Sequence, residues 1–214
     1  MKKSLRTLSI PALAVFGVAV LTAGVVFAAS TPTFNLTIVP GSLGIDIVNG
    51  EYATVAAPTV KFTDATAGFD CATTTGTLGE ATQQIYITNP DASDGGYSVT
   101  LAPTAGTTTW KDSGTNTIAI NDETATGCET GRMTISNGEI SNGRLSTDAT
   151  TGISVNGGSF STANTSVTLV SASAASEDVS EVVANGFTID QTIPARTPAS
   201  TYSLPMTLSI ISSL

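Results

Sequence analysis

Apolar and polar residues alternate in many short stretches of the chain, most regularly near its C-terminus. From Tyr202 to Ile210 the apolar residues are two apart, with Ser203, Thr207 and Ser209 on the opposite face. This is the period of an extended strand with one buried face. The pattern therefore predicts a closing strand. The side chains that we expect to face the core are Tyr202, Leu204, Met206, Leu208 and Ile210.

Prolines set the limits of this closing strand. A strand is also predicted over Phe187–Ile193, and Pro194 and Pro198 mark the corner of a closing hairpin because proline fixes φ and lacks an amide donor. Pro205 would cost a ladder hydrogen bond in a central strand, so we predict an edge strand or a bulge there. Burial on one face predicts a cost of about 2–5 kcal/mol for Leu208→Ala and less than about 1 kcal/mol for Thr207→Ala.

Similar alternation predicts further strands. They cover Phe34–Pro40, Gly41–Gly50, Thr59–Ala65, Gln83–Asn89, Tyr97–Pro103 and Ser166–Ser171, with short strands at Trp110 and at Ile118–Ile120. Turn residues between Asn89 and Tyr97 predict that Gln83–Asn89 and Tyr97–Pro103 form a hairpin. Thr73–Gly79, which consists mainly of Thr and Gly, is predicted to be a loop. No stretch sustains a helical period, so the expected fold is an all-β, antiparallel β-sandwich.

The middle of the chain differs from the rest by its repeated Asn-Gly pairs. They occur at 137–138, 142–143 and 156–157, separated by very short apolar runs. Asn-Gly favours the tight turns of β-hairpins. We therefore predict a hairpin-rich insertion over about residues 130–162. A solenoid is disfavoured because the spacing of the pairs is irregular.

The first 28 residues have the pattern of a signal peptide. Lys2, Lys3 and Arg6 precede an apolar run, and small residues stand at Val26 and Ala28. This predicts an N-terminal signal helix over 1–28, cleaved after Ala28 or the next residue, and one β-sandwich domain over 29–214. The alternative is an uncleaved anchor, since about twenty apolar residues also span a bilayer. Only through an uncleaved leader would the chain contact a membrane.

Composition and charge narrow the functional classes. The 214-residue chain has no histidine, only 12% charged residues and a net charge of −9, which becomes −12 without the three basic residues of the leader. Such an acidic chain repels phosphate backbones, so nucleic acid is not an expected partner. The profile is typical of secreted or extracellular β proteins.

Cys71 and Cys128 are the only cysteines. In an exported protein an even number of cysteines indicates a disulfide, and this one would stabilise the fold by on the order of 4 kcal/mol on a loop-entropy estimate. A thiol nucleophile would need a base such as histidine, and two thiolates alone make a poor zinc site.

Acidic turns are the remaining candidates for chemistry. Asp91, Asp94 and the run Asn121-Asp122-Glu123 offer oxygen ligands for Ca²⁺, but their spacing does not match an EF-hand and turn formation explains them more simply. No pair of carboxylates stands out for a hydrolase. We therefore predict no catalytic, metal-binding or cofactor-binding residues.

Five segments together resemble the WxL domain of Gram-positive cell-surface proteins. They are Gly41–Val48, Pro58–Phe62, Gln83–Ile87, Gly96–Leu101 and the closing stretch Ile193–Leu208. Tyr97-Ser98-Val99 and Met206-Thr207-Leu208 stand where that family carries its two Trp-x-Leu signatures. The resemblance implies a β-sandwich that attaches non-covalently to the cell wall.

The expected function is therefore that of a non-catalytic structural or binding module, secreted and held at the cell surface, with a cell-wall polymer or other surface proteins as partners. One alternative is a self-assembling fibre or pilus-like subunit, in which the edge near Pro205 or the Phe34–Val39 strand pairs with another copy. A carboxylate-dependent hydrolase is a third and less favoured alternative.

Overall fold

A computed structural model describes residues 36–39, 41–90, 95–105, 107–144, 150–176 and 179–213. These residues contain no helix and form antiparallel strands, which confirms the predicted all-β class. The signal helix predicted for 1–28 lies outside the described residues. Val39–Leu214 forms one compact unit, to which the following description applies. The strands are β1 Gly44–Val48, β2 Ala72–Leu78, β3 Gln84–Asn89, β4 Tyr97–Pro103, β5 Thr109–Lys111, β6 Thr117–Ala119, β7 Met133–Ile135, β8 Glu139–Asn142, β9 Ile153–Val155, β10 Gly158–Ser159, β11 Val167–Ala172, β12 Ser180–Asn185, β13 Phe187–Ile193 and β14 Met206–Ser212.

The strands form three four-stranded sheets and one hairpin. The sheets have the orders β1-β3-β12-β8, β10-β7-β13-β2 and β14-β4-β11-β9, and β5 pairs with β6. The chain passes directly from the first sheet to the second, because β12 and β13 are separated only by Gly186, which has a φ of 69°. Strands β8 and β7 pair with them in the same register, with Val182 opposite Asn142 and Ile189 opposite Ile135.

One hydrophobic core is shared by these sheets. Its fully buried members include Ile85 and Ile87 of β3, Leu169 of β11, Val182 of β12 and Phe187 of β13. Ile85, Ile87 and Phe187 lie at inward positions of alternating strands, whereas β11 and β12 also bury neighbouring residues. Removing this apolar surface from water stabilises the fold. Several antiparallel sheets that share one core are consistent with a β-sandwich.

The predicted hairpins between long strands are wrong. Strand β3 pairs with β1 and β12, whereas β4 pairs with β11 and β14. Strand β13 pairs with β2 and β7, so Pro194–Pro205 carries the chain into another sheet instead of closing a hairpin. Turn residues indicate where the chain reverses, but long-range packing selects the strand that becomes the neighbour.

The Asn-Gly region also lacks the predicted hairpins. Its strands are short, as expected, but β7 pairs with β13 and β10, β8 with β12, and β9 with β11. Gly157 lies where the chain passes from β9 to β10, and an added Cβ would lie 2.3 Å from the Ile135 carbonyl oxygen. Met133 and Ile135 belong to the core, so these strands are an integral part of the sheets.

Three local predictions are also wrong. Thr73–Gly79, predicted as a loop, lies almost entirely in β2, where alternation places Thr74 and Leu78 inside. Thr59–Ala65 makes only an isolated bridge, from Phe62 to Gly76. Residues 36–39 of the predicted strand Phe34–Pro40 belong to no strand, and the rest of that segment lies outside the described residues.

The closing strand follows its predicted alternation over a shorter range. Strand β14 begins at Met206, directly after Pro205, and it forms the edge of its sheet as predicted. Leu204, Met206 and Leu208 pack against the core but are only partly buried, while Thr207 and Ser209 are exposed. The core is therefore incompletely covered at this edge.

Candidate functional site

An apolar groove of about 680 Å³ lies where two sheet edges face each other. Strand β1 supplies Ile45 and Ile47 on one side, and Leu204, Met206 and Leu208 form the other side. The floor consists of core side chains contributed by several strands: Leu78, Leu101, Met133 and Ile189. The volume falls within the range of ordinary ligand-binding pockets.

Two aromatic rings also line the groove. Phe62 and Trp110 meet edge to face, with ring centroids 5.2 Å apart. The Trp110 indole Nε1 donates a hydrogen bond of 2.8 Å to Gln191 Oε1. The buried Gln191 amide nitrogen in turn donates to the carbonyl oxygens of Ala119 and Thr192. This chain of hydrogen bonds fixes the indole while its apolar surface remains available to the groove.

Gly76 allows Phe62 to reach this position. Phe62 forms a β-bridge with Gly76, and the Thr63 amide donates to the Thr75 carbonyl oxygen at 2.8 Å. A Cβ at Gly76 would lie 2.9 Å from a Val60 methyl carbon and 3.0 Å from the Lys61 carbonyl oxygen. The missing side chain therefore permits residues 60–62 to lie close against the edge of β2 that faces away from β13.

The side of β14 that faces away from β4 has no strand partner among the described residues. At the two ends of this pairing, Thr104 N–H donates to the Pro205 carbonyl oxygen and Ser213 N–H donates to the Gly96 carbonyl oxygen. The register between them is unbroken. Because hydrogen-bonding direction alternates along an antiparallel strand, the backbone groups of Met206, Leu208 and Ile210 point to the open side.

Cys71 and Cys128 lie at bonding distance on another part of the molecule, with their sulfur atoms 2.10 Å apart and their Cα atoms 5.8 Å apart. Cys71 directly precedes β2, and Cys128 belongs to the connection between β6 and β7. Neither residue lines the groove.

The acidic residues considered as Ca²⁺ ligands are engaged within the protein. Asp122 accepts hydrogen bonds from the backbone amides of Thr124 and Thr130, and these bonds, together with one from the Thr124 hydroxyl, hold its pKa below the usual range. Glu123 accepts from the amide and hydroxyl of Thr162, which lowers its pKa. These hydrogen bonds stabilise the connection between β6 and β7 and join it to the loop that contains Thr162. Asp91 and Asp94 lie outside the described residues.

Neither a metal-binding cluster nor a membrane-spanning helix occurs in the described part of the chain. No group of three or more His, Cys, Asp or Glu side chains there could hold a metal ion. No helix within the same ranges is long and apolar enough to cross a membrane.

The groove can bind an apolar, extended ligand by two means together. Its side chains offer apolar surface, and the open side of β14 offers backbone N–H and C=O groups that an added strand would satisfy. Sequence reasoning found the edge strand but missed the groove. Phe62 and Trp110 stood out only as strand residues, and nothing in their sequence spacing shows that the fold brings them beside Leu204.

Comparison with known proteins gave no relatives: no family model, no curated protein and no solved structure matches this chain.

Proposed function

We propose that this protein is an exported, non-catalytic β-sandwich module that acts at the cell surface by holding an extended partner in the groove between β1 and β14. The observation that carries the proposal is that the apolar groove lies beside the open edge of β14, which has no strand partner among the described residues. A partner that lies along this edge gains main-chain hydrogen bonds while its alternate side chains enter the groove.

Export is supported by the sequence of the leader and by the cysteine pair. Disulfides persist in oxidising compartments, and Cys71 and Cys128 lie at bonding distance. The resemblance to WxL domains adds the proposal of a non-covalent association with the cell wall. Intact-mass measurement of the protein from a secreting host tests export, and we expect an N-terminus at Ala29 or Ser30. Retention of Met1 in the membrane fraction would instead indicate an anchored protein.

Wall binding is tested by sedimentation of the exported protein with purified cell-wall material. Leu204→Glu places a charge at the groove, whereas Thr201→Glu adds the same charge at an exposed position that does not line it. We expect Leu204→Glu to weaken retention about tenfold or more and Thr201→Glu to leave it unchanged, because a buried carboxylate pays a desolvation cost. Equal retention of both variants would show that the wall is bound elsewhere.

A further inference from the structure

The groove and the open side of β14 suit an occupant that is extended, apolar on alternate residues and free of acidic side chains, since Asp46 and Glu80 are among the lining residues. The chain contains such a segment in Phe34–Val39, where Phe34, Leu36 and Ile38 are two residues apart. In the structure Leu36 is 86% exposed, Ile38 82% and Val39 78%, and none of them lies in a strand. Large apolar side chains this exposed within four residues indicate an interaction site.

We propose that Phe34–Val39 of one copy adds to the open side of β14 in a second copy and places Phe34, Leu36 and Ile38 in its groove. This inference rests on the proposed function and names the partner as another molecule of the same chain. The periods match, because Leu204, Met206 and Leu208 form the groove wall at the same two-residue spacing. Thr37 would then share the outer face with Thr207 and Ser209.

Charge favours this pairing within an otherwise acidic protein. Two exported copies, each with a net charge of −12 once the three basic residues of the leader are removed from the −9 of the whole chain, repel each other, so an interface between them is favoured where it adds no acidic side chains. No charged residue occurs between Arg6 and Asp46, and none follows Arg196. Both the donor segment and the acceptor strand are therefore neutral. The groove lining includes Asp46 and Glu80, and a donor without acidic side chains adds no like charge against them.

The geometry of the contact predicts chains of molecules. The donor segment and the acceptor groove are different surfaces. One contact uses the donor segment of one copy and the groove of the other. The groove of the first copy and the donor segment of the second therefore remain free. Such heterologous contacts generate rings or open filaments. The expected product is therefore a series of sizes that grows with protein concentration.

The first experiment measures assembly of the full chain from a secreting host by light scattering over a range of concentrations. The donor variant Leu36→Glu/Ile38→Glu should remain monomeric and keep the wild-type melting temperature, since both side chains are exposed in the monomer. A synthetic peptide of residues 33–40 should bind this variant, and the peptide carrying the same two substitutions should bind about 100-fold more weakly or worse. A wild-type chain that is monomeric at every concentration and does not bind the peptide would overturn the inference.

The second experiment locates the contact by disulfide cross-linking. A Thr37→Cys copy mixed with a Ser209→Cys copy should give a mixed dimer. The matched control is Ser154→Cys, an exposed serine on β9 at the opposite edge of the same sheet. Cross-linking to both positions alike would refute the docking on β14. A chain carrying both Thr37→Cys and Ser209→Cys that cross-links only to itself would show self-insertion and also refute exchange between copies.

These outcomes are separable from those for the proposed function. A protein that sediments with the wall through its groove but neither assembles nor binds the peptide keeps the proposed function and loses this inference. A protein that assembles but fails to sediment with the wall has its own chain as the partner at the cell surface.

Discussion

Strands β13 and β14 have the same length and a similar alternation, but they occupy very different positions. Strand β13 lies between β2 and β7, and Phe187 and Ile189 are buried. Within the described ranges strand β14 has only β4 beside it, and its inward-facing side chains are partly exposed to the groove. Alternation along a strand thus reports which face is apolar. The number of neighbouring strands decides how deeply that face is buried, and in the part of the chain that the structure describes β14 has one neighbour where β13 has two.

The largest difference between the two strands should appear when Phe187 is replaced. Phe187 has no exposed surface, and Phe187→Ala removes its ring from the middle of the core. We expect the free energy of unfolding to fall by about 3–5 kcal/mol, through lost burial and a residual cavity. Urea denaturation measures this loss, with Thr188→Ala on the opposite face as the control. A loss below about 1 kcal/mol would mean that β13 is not central.

The disulfide should be the next largest contribution, and it belongs to the β13 side of the molecule. Cys71 precedes β2, the neighbour of β13, and the bond spans a sequence separation of 57 residues. Replacing both cysteines with serine should cost about 2–4 kcal/mol by releasing the unfolded chain. Peptide binding in the groove should persist under folding conditions, because neither cysteine lines it.

Thiol labelling provides the control for this prediction. The folded, unreduced wild-type protein should give no labelled cysteine. Two freely reactive thiols would show that the disulfide is absent and would remove one argument for an oxidising compartment.

Prediction from the sequence succeeded where a strand could be identified from its own residues. Strands β3, β4, β11 and β13 begin or end within one or two residues of the predicted bounds because buried apolar residues fall on alternate positions. Strand β2 was missed because its Thr and Gly residues also suit a loop; its partner β13 supplies the apolar surface and hydrogen bonds that keep it extended.

The candidate site was less predictable than the strands. The even cysteine count was sufficient to suggest that Cys71 and Cys128 pair. The groove depends on Phe62, Trp110 and Leu204, which are distant in sequence and are brought together by the tertiary fold. An alternating pattern does not contain that information, since pairing partners are set by long-range packing.

Tyr97 provides a test of burial in β4, the strand beside the open edge of β14. It lies in β4, next to β14, and its hydroxyl is buried with no hydrogen-bond partner among the described residues. Burial raises the pKa of Tyr97 to about 12. The folded protein therefore holds this proton more tightly than the unfolded chain, so stability is unaffected below about pH 10 and falls as the pH rises from about 10 to 12, by up to about 2–3 kcal/mol.

Tyr97→Phe should remove this part of the alkaline loss and change stability at pH 7 by less than about 1 kcal/mol, because an unpaired hydroxyl contributes little. Tyr86, whose pKa burial also raises to about 12, keeps its share in both proteins. Denaturation at pH 7 and at alkaline pH measures the difference. Identical alkaline losses in the two proteins would mean that Tyr97 is accessible to solvent.

The smallest effects should occur on β14 itself, where the sequence predicted that one face is turned to the core. Leu208 is only partly buried, so Leu208→Ala should cost the monomer about 2 kcal/mol or less, at the low end of the expected range. Thr207→Ala, on the exposed face, should change stability by less than about 0.5 kcal/mol. Addition of the residue 33–40 peptide should widen this gap, because an added strand would cover Leu208 and leave Thr207 outside. Urea denaturation with and without the peptide measures both gaps, and a gap that does not grow would place the peptide away from β14.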